Sequence, residues 1–81
     1  MKAKNFNNIL CFDILAIERF ADKPDINIFP KGEKIFFNVE TPFMVEPIRE
    51  DNIKLSDVCK LHVNNTFYYI SKSDFYETMG Q

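Results

Sequence analysis

The clearest hydrophobic pattern in the chain lies in residues 53–72, IKLSDVCKLHVNNTFYYISK, where two alternating runs meet at Asn64-Asn65. Alternation with period two puts successive side chains on opposite faces of a strand, and asparagine tolerates the left-handed backbone of a tight turn. The segment therefore predicts a β-hairpin. Ile53, Leu55, Cys59, Leu61 and Val63 form its apolar row, broken by Asp57, with Lys54, Ser56, Lys60, His62 and Asn64 between them. A two-residue turn pairs Val63 with Thr66, His62 with Phe67, Leu61 with Tyr68, Lys60 with Tyr69 and Cys59 with Ile70. Cys59, Leu61, Val63, Tyr68 and Ile70 then face a core. Phe67 and Tyr69 stand with Lys60 and His62 on the other side.

Residues 6–22, FNNILCFDILAIERFAD, satisfy both periods. Leu10, Ile14, Ile17 and Ala21 fall at helical spacing, while Ile9, Cys11, Leu15 and Ile17 suit a strand. Asp13 as a cap and Lys23-Pro24 as a stop predict a helix over 14–21 after a short strand at 8–12; one long first strand is the alternative. Residues 25–29 and 34–40 flank Pro30-Lys31-Gly32-Glu33, where proline fixes one turn dihedral and glycine supplies the permissive one, predicting a second hairpin. The nine residues from Phe29 to Phe37 have an aromatic-x-x-Gly-Glu-x-hydrophobic form common in small barrels; many unrelated turns share it, and it defines no family.

Residues 41–47, bounded by Pro42 and Pro47, suit an edge strand or a strap, since neither proline can donate to a ladder. Arg49-Glu50-Asp51-Asn52 forms a charged turn. Ser73 or Asp74 caps a brief C-terminal helix, with Asp74 and Glu77 at the spacing of an acidic capping box and Gly80 as its end. With no internal repeat or linker composition, the expectation is one domain over 1–81. Its fold class is mainly β, with α+β possible: a small curled antiparallel sheet, or an SH3-like or OB-like partly open barrel, of about five short strands and one or two short helices.

Composition narrows the function. At 81 residues the chain can bury one modest core but not two lobes around a catalytic cleft, so an enzyme is not expected. Hydrophobic residues at 46% and nine Phe without a Trp exclude disorder. A net charge of −2 argues against affinity built on phosphate neutralisation. Cys11 and Cys59, far apart and beside a single His, read as reduced core thiols rather than zinc ligands or a disulfide framework. The chain shows no signal-peptide cleavage pattern and no run near the ~20 apolar residues that cross a bilayer, so a cytoplasmic protein is expected, and Asn64-Asn65-Thr66 serves only as a turn.

His62 is the natural general base near neutrality, yet no Ser, Cys or carboxylate stands in a motif beside it, and a hairpin position facing water is ordinary. Glu50, Asp51 and Asp57 lack the Asp-x-Asp-x-Asp-Gly frame of a calcium loop and read as a solvated turn. No cofactor and no metal are implied. Residues 40–57 carry five acids, Glu40, Glu46, Glu50, Asp51 and Asp57, against Arg49 and Lys54, a net −3. An acidic strip beside Phe67 and Tyr69 can engage a basic protein, although a solvated turn, and a helix over 13–22 covering both rings, are the plainer readings.

The leading expectation is thus a non-enzymatic, intracellular protein-binding module contacting its partner through Glu46, Glu50, Asp51, His62, Phe67 and Tyr69. Abundant Asn, Ile, Lys and Phe with little Ala, typical of AT-rich coding sequence, in a chain of this size suit a phage or mobile-element inhibitor or regulator of a host nucleic-acid enzyme. The alternative is a small-barrel protein that binds single-stranded nucleic acid with Phe67, Tyr69, Lys60, Lys31 and Lys34. A third is a structural domain that forms a homo-oligomer through an exposed sheet edge.

Overall fold

A computed structural model describes residues 5–6, 8–23 and 25–80. The hairpin at Asn64-Asn65 forms as Val58–Val63 and Thr66–Ser71 (β5 and β6 in chain order). Both turn residues are left-handed, with φ 55° and 63°, which lets a two-residue turn follow the right-handed strand twist. All five expected pairs are made, and Cys59, Leu61, Val63 and Ile70 are at most 3% exposed. The hairpin starts later than the pattern suggests. Ile53–Leu55 is a turn of 3-10 helix, capped where the Asn52 side chain accepts the Lys54 N–H at 2.9 Å, and Ile53 is 90% exposed. The Lys72 N–H donates to the Asp57 carbonyl at 2.8 Å and closes the open end of the hairpin there. The strand Phe43–Pro47 (β4) pairs with β5 and forms the proline-flanked edge expected of it.

Two expectations for the N-terminal half are corrected. Residues 14–21 are not helical: Ile9–Arg19 is one strand, β2, after a two-residue strand β1, Asn5–Phe6. Leu10, Phe12 and Ile14, a period-two set, are at most 8% exposed, and the β-branched Ile14 and Ile17 fit a pleated surface once a long partner is present. That partner is Ile26–Asn38, β3, which absorbs both segments flanking Pro30-Lys31-Gly32-Glu33. The tetrapeptide makes a bulge instead of a hairpin turn: Asp13 faces Lys34 and Leu15 faces Pro30, so a single β2 residue spans three on β3. Gly32, at φ 85°, takes the conformation a side chain would resist. The chain reverses at residues 20–25 instead. With Ile26 paired to Arg19 and Asn38 to Ile9, β3 runs the whole length of β2, its two extra residues taken up in the bulge.

Leu10 pairs with both Asn5 and Phe37, and Leu15 with both Tyr69 and Pro30. β1 and β6 therefore share one edge of β2, and β3 takes the other. The result is an open antiparallel sheet running β3, β2, β6, β5, β4, mainly β as expected but not closed into an SH3-like or OB-like barrel.

Lys72–Met79 (α1) follows β6 directly. Its N-cap is Ser71 and neither the expected Ser73 nor Asp74, with Ser71 Oγ accepting the Asp74 N–H at 2.9 Å. Asp74 is buried, and its Oδ2 accepts the Asp13 N–H at 2.9 Å; the buried Thr78 hydroxyl donates to the Cys11 carbonyl at 3.5 Å. Along the stretch of β2 between β1 and β6, these two side chains supply hydrogen bonds that a neighbouring strand would otherwise make. Gly80 ends the helix as expected, because a Cβ there would lie 2.4 Å from the Tyr76 carbonyl oxygen. Leu10, Phe12, Phe37, Cys59, Leu61, Val63 and Ile70 form the core on one side of the sheet. Phe12 joins its parts, with ring centroids 5.9 Å from Phe37 and 6.2 Å from Phe75 of α1. No helix among the described residues is long and apolar enough to cross a membrane.

Candidate interaction surface

Residues paired across antiparallel strands lie on the same face, so the register defines the outer side of the sheet. Met44 pairs with His62 and His62 with Phe67; Glu46 pairs with Lys60, Lys60 with Tyr69, and Tyr69 with Leu15. These side chains form a network opposite the core. His62 Nε2 and Glu46 Oε1 are 2.8 Å apart, and the His62 and Phe67 ring centroids 5.9 Å. Phe67 meets Tyr69 edge-on at 5.6 Å and 82°, while Lys60 Nζ sits 5.1 Å from the Phe67 centroid as a cation over the ring. At the far end Arg19 Nη1 and Nη2 each donate to Glu50 at 2.8 Å, a bidentate pair that ties the loop after β4 to the end of β2.

Charges alternate across this face. The hydrogen bond from His62 holds the Glu46 carboxyl below its ordinary value, and the Arg19 guanidinium does the same to Glu50, whose carboxylate in turn raises Arg19. The acidic strip is thus partly neutralised by its own neighbours. Of the residues expected to form the site, Glu46, His62, Phe67 and Tyr69 come together, and Glu50 joins through Arg19. Asp51 is exposed in the loop and takes no part in these contacts. The helix expected over 13–22 does not form to cover the rings: residues 13–19 are strand. Met44 at 56% and Phe67 at 47% exposure flank an open groove of about 660 Å³ at the hairpin end, lined also by Pro42, His62 and Asn65.

Arg19 and Met44 join the surface although the sequence reading does not place them there. Their signals are present, Arg19 as the end of the alternative long strand and Met44 as a residue in the edge strand, but placing them needs a register between segments that are distant in sequence. Cys59 and His62 are on opposite faces of β5, and burial pushes the Cys59 thiol up, away from a reactive thiolate. No cluster of three or more His, Cys, Asp or Glu among the described residues could hold a metal ion. Compared with known proteins, the chain matches no family model, no curated protein and no solved structure, so the surface is read from its own geometry.

Proposed function

We propose that the chain is a non-enzymatic protein-binding module whose contact surface is the outer face of β4, β5 and β6. The observation that carries this reading is the partly exposed Met44, His62, Phe67 and Tyr69 cluster on strands whose inward faces fill the core. A rigid backbone thus presents an apolar centre with a charged rim, the anatomy of a protein contact. The net −3 of residues 40–57 supports a basic partner, such as a nucleic-acid-handling enzyme that the chain would inhibit or regulate. With Glu46 and Glu50 engaged by His62 and Arg19, the apolar residues supply most of the affinity and the acids supply steering. The single-stranded nucleic-acid reading is weaker, because one side of the Phe67 ring carries Lys60 and its neighbour Tyr69 is edge-on, so the pair offers no open stacking platform.

The test is capture from an extract of the source cells with the immobilised chain, followed by kinetics with the purified partner. Phe67→Ala combined with Met44→Ala should weaken binding about tenfold or more, as truncation of central contacts does. Glu50→Lys with Asp51→Lys should slow association, less so as salt is added. Unchanged binding by both variants would remove the surface from consideration. Oligonucleotide binding tighter than about 10 μM, salt-sensitive and lost on Phe67→Ala, would install the nucleic-acid reading in its place.

A further inference from the structure

The sheet has two edges, and the described residues guard them differently. β4 is five residues long, preceded by Pro42 and ending on Pro47. β3 is thirteen residues long, pairs only with β2, and exposes Phe29 and Phe36 at 40% and 62%. A continuous strand of that length with exposed rings is a template for pairing with another chain. Its middle, however, is Pro30-Lys31-Gly32-Glu33-Lys34, all five exposed. Pro30 has no N–H to give a ladder, and Gly32 at φ 85° bends the strand into open space, where a Cβ would meet nothing within 4 Å. Lys31, Glu33 and Lys34 set charges on either side of the bend.

We infer that the bulge at residues 31–33 is an edge guard that keeps β3 from pairing with β3 of a second copy, leaving the outer face as the surface open to a partner. The register defines what would remove it. Because β3 carries two residues more than β2 across the shift, deleting Lys31 and Gly32 makes Glu33 the single residue between Pro30 and Lys34, opposite Ile14. An even-numbered deletion leaves every flanking side chain on its own face, so the β2–β3 ladder becomes continuous without exchanging core and surface.

Sedimentation and light scattering should therefore find the natural chain monomeric up to about 100 μM, inside the range where open edges associate. The chain lacking Lys31 and Gly32 should keep its circular dichroism and cooperative melt, yet gain mass with concentration, with β3 amides protected from exchange in the associated form. Lys31→Val with Glu33→Val retains the bent backbone, removes two charges, and should associate more weakly than the deletion but more than the natural chain. The inference is overturned if the deletion folds and stays monomeric, or if the natural chain itself associates through β3. Should the deletion fail to fold, the double substitution decides: association upholds the guard, and a monomer over the same range overturns it.

Discussion

The β5–β6 hairpin turns in two residues and keeps one register from Val58 to Ser71, whereas β2 and β3 turn across the six residues between Arg19 and Ile26 and slip by two at a bulge. The long pair also takes hydrogen bonds from a helix 61 and 67 residues further along the chain. In the short hairpin, alternation and two left-handed asparagines suffice to fix both faces. In the long one, sequence-local preferences are overruled by partners that only the folded sheet provides. A strand can thus be specified by its turn or by its neighbours, and this chain contains both cases.

The largest expected effect strikes where the two regions meet. Phe12→Ala removes a fully buried ring packed on Phe37 and Phe75 and should cost about 3–5 kcal/mol in urea unfolding. Leu61→Ala, inside the short hairpin, should cost about 2–5 kcal/mol, against well under about 1 kcal/mol for Lys60→Ala on the outer face. Equal losses at 60 and 61 would mean that the register, and with it the proposed surface, is wrong.

Asp74→Ala should cost about 1–3 kcal/mol, because it takes a buried acceptor from the Asp13 N–H. Hydrogen exchange sharpens the comparison: the Asp13 amide should exchange faster while the Leu61 amide is little changed, and equal acceleration at both would deny the two regions separate determinants. Next in size, Asn64→Val forces a β-branched residue to positive φ and should cost about 1–2 kcal/mol. Inserting two glycines between residues 20 and 23 should cost under about 1 kcal/mol, since the closure entropy of a connection grows slowly with its length. The reverse ranking in thermal melts would assign the local control to the wrong hairpin.

The smallest effect is electrostatic. The folded-state pKa values of Glu46 and Glu50 are lowered by His62 and Arg19, so their contribution is fully present above the ordinary carboxylate range and is lost as pH falls through the lowered values. Both pairs are exposed, so the loss should be slight and smaller still in salt. Glu46→Gln should flatten the acid limb of a stability-versus-pH curve by its share, and an identical curve would show that the His62 contact adds nothing.

Legibility follows the same division. Asn64-Asn65 announces its turn because the required backbone conformation is written in the residue type, and the faces of Leu61 and Phe67 follow by counting. Edge placement of residues 43–47 is readable from Pro42 and Pro47. Asp13 misleads because a carboxylate before an apolar run is a good helix cap, and the competing use of its backbone N–H depends on Asp74 near the other end of the chain. Pro30 to Glu33 mislead similarly: proline and glycine mark a bend, but only the length of β2 decides whether the bend reverses the strand or merely shifts its register. Of the surface, the aromatic half is legible and Arg19 is not, since its contact with Glu50 joins a strand to a loop through tertiary geometry alone.

The two hydrogen bonds that α1 makes to the edge of β2 have a kinetic consequence. During synthesis, residues 9–38 emerge before α1, and the Cys11–Asp13 stretch gains its contacts with Asp74 and Thr78 only once those side chains, 61 and 67 positions further along, have followed. Closing loops of this length is entropically costly before any contact rewards it, so the β2–β3 ladder must precede these two hydrogen bonds or form without them. The β5–β6 hairpin needs only its own turn, so its register does not depend on a contact so distant in sequence.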